Sequence, residues 1–355
     1  MITATGLSII KVFLPAIFSF AAGLLFAPAW LNILITNKMW KKRSKNKTID
    51  GREPTTFQRL HHTKETSTPR MGGVVVWATT IVIALVLWVL AQVLPASELL
   101  ARLDFISRGQ TWIPLFVLLL GATVGLIDDY LEVSDAPHLN IQGLSLGKRL
   151  LAVAIVAVAC GWWFYAKLDV TTLFVPFLGS IYFGPSIILF FVIVMIGTYS
   201  GGVIDGIDGL SGGVFTSIFA SYGIIALLQN QLNLATMCFV ISGALLAFLW
   251  FNLPPAKYYM TETGTMALTM CLAVIAFMTD QVFLLPIIAM PLVLTPLSNV
   301  IQLSYRKLYG KKLFQITPIH HHFEAIGIPS YQITMKYWIV SFICGLAGII
   351  LFLIS

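Results

Sequence analysis

Apolar runs recur ten times along this chain, near residues 7–36, 72–94, 111–127, 150–166, 186–204, 210–228, 236–251, 264–280, 282–302 and 336–354. A helix needs roughly 20 apolar residues to cross a bilayer, where its backbone groups find no water and must bond within the helix. The shorter runs are read as spans whose ends continue as helix into the interface. The break between the eighth and ninth rests on Asp280 and Gln281. With 58% hydrophobic and 10% charged residues, the chain has too little polar surface for a water-facing globule, which carries about a quarter charged residues. The expected fold is an all-α polytopic membrane protein of about ten spans, forming one domain over 1–355.

Lysine and arginine are retained on the cytoplasmic side of a membrane, and their distribution orients the bundle. Segments 37–70, 128–149, 205–209, 252–262 and 303–335, with Lys336 at the border, hold 18 of the 22 basic residues. Those segments are therefore expected in the cytoplasm, with both termini periplasmic. The net charge of +7 is mostly this orientation signal. It also suits anionic membrane lipids and phosphorylated substrates. No RNP, zinc-finger or helix-turn-helix pattern is present, which argues against nucleic acid. Cys160, Cys238, Cys271 and Cys344 each lie in an apolar run and fit no metal spacing. The start, MITATGLSIIK, has no basic n-region followed by a small-residue cleavage site, so no cleaved signal peptide is expected. Segment 167–185, rich in β-branched and aromatic residues around a Pro-Phe-Leu-Gly turn, reads as a periplasmic hairpin.

Five acidic residues fall at the inner ends of spans: Asp128 and Asp129 in GLIDDY, Asp205 and Asp208 in VIDGIDGL, and Glu262 in YYMTETGT. Acids at such depth are costly and mark functional sites. Each taken alone is also explained as a helix cap or turn residue. Five at one depth repel unless a cation sits among them, and oxygen-only ligands suit a hard ion, most simply Mg2+ with substrate phosphates. The Gly-rich turns TPRMGG (68–73) and SGGVIDGIDGLSGG (200–213) offer backbone amides to anions, or packing contacts between helices.

Together, Thr68-Pro-Arg-Met-Gly-Gly, Gly125-Leu-Ile-Asp-Asp-Tyr, Asp205-Gly-Ile-Asp-Gly-Leu, Asn252-Leu-Pro-Pro-Ala, Ser298-Asn-Val-Ile-Gln and Pro318-Ile-His-His-His-Phe-Glu resemble the polyprenyl-phosphate N-acetylhexosamine-1-phosphate transferases. The histidine stretch resembles the phospho-N-acetylmuramoyl-pentapeptide transferase branch. The resemblance implies transfer of phospho-MurNAc-pentapeptide from UDP-MurNAc-pentapeptide to undecaprenyl phosphate with Mg2+, giving lipid I and UMP. It also implies a multi-pass protein of the bacterial inner membrane and a homodimer. Carried over to this chain, Asp128, Asp129 and Asp208 are the expected catalytic acids, and Glu262 and Asp205 the metal ligands. Lys64, Thr68, Arg70, Lys148, Asn252, His320, His321 and His322 are the expected substrate-binding residues.

This chain departs from the family pattern at several positions. Glu262 stands for the metal-binding aspartate and Thr261 for the glycine before it. Tyr199 and Gly202 replace two asparagines, Arg70 replaces a threonine, and Glu132 replaces a lysine. A charge lost at Glu132 is restored if Arg70 meets it. A related transferase using UDP-GlcNAc, an inactive homologue and an ion-coupled transporter remain alternatives, as does a covalent route through Asp128 or Asp129. The three histidines cannot easily converge on one ion, because adjacent residues point about 100° apart on a helix. They are expected to point different ways, some toward the substrate and another bracing the loop 303–335.

Overall fold

The computed structural model describes residues 4–41, 67–134 and 143–355. Among these, nine helices are long and apolar enough to cross a membrane, or ten if one bent pair counts as a single span. The chain runs through α1 (Ala4–Thr36), α2 (Val74–Val93), a short α3 (Glu98–Leu103), α4 (Trp112–Val133) and α5 (Leu146–Lys167). It continues through a hairpin, α6 (Ile187–Ser200), α7 (Leu210–Leu228), α8 (Leu232–Asn252) and α9 (Thr261–Met278). The last helices are α10 (Leu285–Ile288), α11 (Met290–Tyr309), α12 (Ile319–Ala325) and α13 (Ser330–Ile354).

Burial sorts these into layers. The spanning window of α9 is 89% buried, whereas those of α1 and α13 are 22% buried. A helix apolar on every side belongs at the centre of a bundle, and α9 is lined with Gly264, Ala267, Ala273 and Ala276. Small residues let membrane helices touch backbone to backbone. At Gly121 of α4 an added Cβ would stand 2.9 Å from the Cα of Ala267, and at Gly125 it would collide with the Glu262 carbonyl. The start of α9 is thereby pinned to the end of α4. All four cysteines are free, buried thiols.

Strands β1 (Thr172–Val175) and β2 (Gly179–Tyr182) pair antiparallel, with Thr172 opposite Tyr182 and Val175 opposite Gly179. The hairpin is tied down by the Phe174 amide, which donates to Asp280 Oδ1 at 3.0 Å. The structure breaks the ninth run, which the sequence reads as continuous. Val282–Ile288 and Met290–Tyr309 meet at 81°. Pro291 stands in the first turn of α11; it has no amide to donate, and inside a continuous helix its ring would meet the carbonyl four residues back.

Candidate active site

The acids predicted from the sequence gather at one end of the bundle, where α4 ends and α7 and α9 begin. Asp129, with no exposed surface, accepts the Thr261 hydroxyl at 2.6 Å and the Thr263 amide at 2.8 Å on Oδ2. Its Oδ1 faces Arg70 at 3.5 Å. Asp128 is 4% exposed. Its Oδ1 accepts the Leu144 amide at 2.5 Å, and its Oδ2 lies 3.5 Å from Arg149. Gly143 permits that amide contact: its φ is +79°, and a Cβ there would stand 2.9 Å from Asp128 Oδ1. Asp205 accepts the Ser211 hydroxyl at 2.7 Å and the Thr261 amide at 2.8 Å. Burial pushes its carboxyl above the usual range, against the pull of those two donors and of Arg70. Asp208 accepts the Ala256 amide at 3.3 Å.

Two ion-pair chains run through the cluster. In the first, Arg149 Nη1 pairs with Glu262 Oε1 and approaches Asp128. In the second, Lys41 meets Glu132 at 3.1 Å, and Glu132 meets Arg70 at 2.6 Å, which in turn faces Asp129. The charge reversal at Glu132 is thus met by Arg70. Burial works against the Arg70 charge, but Glu132, Asp129 and Asp205 outweigh it and hold its pKa above the ordinary value.

Arg70 and Glu132 should therefore fail separately and recover together. We expect Glu132→Lys to lower the unfolding midpoint sharply, because it sets a third cation beside Lys41 and Arg70. Adding Arg70→Thr should recover about 1 kcal/mol or more of coupling, as residues in one ion network do. Additive penalties would show that the two do not act together.

Arg149 was not singled out in the sequence; Lys148 was. The two are neighbours in the first turn of α5, and helix geometry turns them about 100° apart, so only one faces the acids. Arg149 does, and Lys148 is exposed. Lys64 lies outside the described residues. Thr68 is half-buried, two residues before Arg70.

Glu262 has one methylene more than an aspartate and carries its carboxylate to Arg149. Its backbone cannot retreat: Gly125 presses on the Glu262 carbonyl, and a Cβ on Gly73 would collide with Gly264. Gly202 has a counterpart of the same kind, since a Cβ there would stand 3.2 Å from Thr265 Cβ. Thr265 fills the room that a side chain at 202 would need. Tyr199 is buried at the end of α6.

Asn252 is a brace in this structure. Its Oδ1 accepts the Gly209 amide at 3.0 Å and its Nδ2 donates to the Tyr258 carbonyl at 2.8 Å. The histidines divide two and one. His320 and His321 are buried on α12 and press on Gly206, between the two aspartates: a Cβ there would stand 2.5 Å from His320 Nε2 and 2.8 Å from His321 Nε2. His321 Nδ1 meets Glu324 Oε2 at 2.7 Å. His322 turns away, accepting the Gln315 amide at 3.3 Å and packing on Phe314. Two motif residues of α11 hold this loop. Ser298 accepts the Ile319 amide, and Gln302 bonds the backbone of Leu313 and Phe314.

Among the described residues no three His, Cys, Asp or Glu side chains form a ready-made metal cage. The donors fit a smaller role. Asp205 bonds the amide of Thr261, and Glu262 is the next residue, so two hard carboxylates flank one residue. A Mg2+ ion typically takes one or two carboxylates and completes its shell with phosphate and water. Asp128, Asp129, Glu132 and Glu262 share the described cations Lys41, Arg70 and Arg149. Asp205 and Asp208 lie beside them on the neighbouring turn, so the oxygen donors such an ion takes are gathered at one place.

Residues 111–280 match the family model "Glycosyl transferase family 4". The chain is 31% identical over 332 residues to a phospho-N-acetylmuramoyl-pentapeptide-transferase of Levilactobacillus brevis, covering 92% of this chain and 95% of the relative. It is also 31% identical over 290 residues to the Bacillus cytotoxicus protein of the same name, covering 81% and 85%.

Proposed function

Because the chain belongs to the family of phospho-N-acetylmuramoyl-pentapeptide transferases, we propose that it moves phospho-MurNAc-pentapeptide from UDP to undecaprenyl phosphate in the bacterial inner membrane. Lipid I and UMP are the products. The active end of the bundle faces the cytoplasm in this reading, as the basic loops require, with both termini periplasmic and the protein a homodimer. The observation that carries the reading is the joining of the acid cluster to the histidine loop: His320 and His321 press on Gly206, inside the turn that bears Asp205 and Asp208.

In the reaction a lipid phosphate oxygen bonds to the phosphorus next to the sugar, and the bond from that phosphorus to UMP breaks. The attacking oxygen is already anionic near neutral pH, so the larger task is to hold two anions together; phosphoryl transfer is mostly positioning and charge neutralisation. Arg149 and Arg70 place fixed positive charge beside the acids for that purpose. Asp205 and Glu262 would hold Mg2+, whose charge offsets that of the diphosphate and of departing UMP. Asp128 takes any proton left on the acceptor. Asp128 and Asp129 are both committed to amide, hydroxyl and guanidinium donors, which favours direct displacement over a covalent aspartyl intermediate. In this reading His320 and His321, buried behind Gly206, back the turn that meets the nucleotide or sugar.

Purified protein given UDP-MurNAc-pentapeptide should release UMP only when undecaprenyl phosphate is also present. A UMP burst without acceptor would count for the covalent route. Turnover with UDP-GlcNAc in place of the muramoyl donor would redirect the assignment within the superfamily.

A further inference from the structure

Thr261, the first residue of α9, has φ +57°. That left-handed conformation is sterically costly for a β-branched residue and free for glycine. Such strain persists only where the surroundings over-determine it, and it gathers at functional sites. Here the surroundings are visible. The Thr261 hydroxyl donates to Asp129 Oδ2 at 2.6 Å and accepts the Met71 amide at 3.1 Å. Its own amide donates to Asp205 Oδ2 at 2.8 Å, and its carbonyl accepts the Thr265 hydroxyl at 3.1 Å. One residue, 6% exposed, thus joins α4, the segment carrying Arg70, and the Asp205 turn.

Glycine at this position would take the same φ without strain and would keep the amide bond to Asp205. The side chain would be lost, and with it the hydroxyl's bonds to Asp129 and Met71. The costly residue is therefore explained by what the hydroxyl does: it sets Asp129 in place and ties Met71, next to Arg70, to the same point. We propose that Thr261 is a positioning residue of the transfer site. Its hydroxyl fixes Asp129 and the Arg70 segment, while its amide fixes Asp205 at the head of the helix that bears Glu262.

The kinetic part of this inference rests on the transferase reading above, and three variants separate the possibilities. Thr261→Gly relieves the backbone, which offsets part of the cost of leaving the Asp129 and Met71 groups unpaired, so it should fold and should unfold at a higher temperature than Thr261→Val. It should nevertheless lose about 10- to 100-fold in kcat, the cost of a group misplaced by an ångström or less, with the donor KM changed by no more than about 3-fold. Thr261→Ser restores the hydroxyl and should return kcat to within about 3-fold of the parent, which a role in shape alone would not do. Thr261→Val keeps the strain and loses the hydroxyl. It should share the kcat loss and also unfold at a lower temperature than Thr261→Ser, since the Asp129 and Met71 groups are left unpaired. A glycine variant within about 2-fold of the parent in kcat would overturn the proposal. If the parent protein shows no turnover of the muramoyl donor, the transferase reading is what has failed. The unfolding midpoints then decide about Thr261: valine below serine supports the hydroxyl's role, and equal midpoints overturn it.

Discussion

Replacing Arg149 by methionine is expected to cut transfer by about 10³-fold, the lower end of what a guanidinium contributes to phosphoryl transfer. The effect has two sources. Arg149 is the described cation that touches both Asp128 and Glu262, so its loss leaves two half-buried or buried carboxylates facing an incoming diphosphate. Breaking a buried pair by removing one partner costs about 3–5 kcal/mol; here Arg149 and Glu262 keep roughly a fifth to a quarter of their side-chain surface exposed, so about 1–3 kcal/mol is the better expectation. Arg149 reaches both acids through Nη1, so Arg149→Lys keeps the charge but carries it on a shorter side chain with a more strongly hydrated head, and a loss of about 10-fold in kcat/KM is expected. The check is kcat/KM together with the unfolding midpoint for both variants. Equal activity in methionine and lysine variants would show that the charge is not what matters.

The adjacent aspartates should separate just as clearly. Asp129 has no exposed surface and is saturated by Thr261, Thr263 and Arg70, so it serves as the fixed anchor between α4 and α9. Asp129→Asn leaves Arg70 short of a partner and places an amide where two donors point. A stability loss of about 2–4 kcal/mol follows from the unpaired groups, and with it a fall of several degrees in the unfolding midpoint. Asp128 lies beside Arg149, on the Glu262 side. Asp128→Asn should leave the midpoint nearly unchanged and lower kcat by about 10²-fold, the modest end of general-base catalysis, because the acceptor phosphate needs little deprotonation. Measuring midpoint and kcat on both variants tests this division. The reverse pattern, a fully active Asp128→Asn and a stable, inactive Asp129→Asn, would exchange the two roles.

The spans were legible because hydrocarbon leaves a backbone few choices, and among the described residues nine spanning helices appear, or ten with the bent pair, close to the apolar runs. The bend at Ala289 was harder to read: hydropathy continues through it, and Pro286 and Pro291 on either side are what mark it. The acids' shared position followed from where each span ends. Which cation meets which acid did not. Lys148 and Arg149 are equivalent in sequence until the phase of α5 is known, and α5 begins beyond a segment without regular pattern. The meeting of Arg70 with Glu132 joins residues far apart in the chain, so charge arithmetic suggested it and only tertiary structure brought the two within 2.6 Å. Thr261 looked like a simple replacement of glycine. Its four bonds depend on a backbone angle that sequence does not display. The histidine triplet divides in a way spacing alone does not give, with two neighbours against Gly206 and one against Phe314.

The acid and arginine cluster is proposed to transfer phospho-MurNAc-pentapeptide to a lipid phosphate. The most direct test is mass spectrometry of the lipid fraction after incubating the purified protein with UDP-MurNAc-pentapeptide, undecaprenyl phosphate and Mg2+. Undecaprenyl diphosphate bearing MurNAc-pentapeptide should appear, matched by UMP, and should fall to near background with Arg149→Met. No such lipid from the parent protein, or equal product from the methionine variant, would contradict the account.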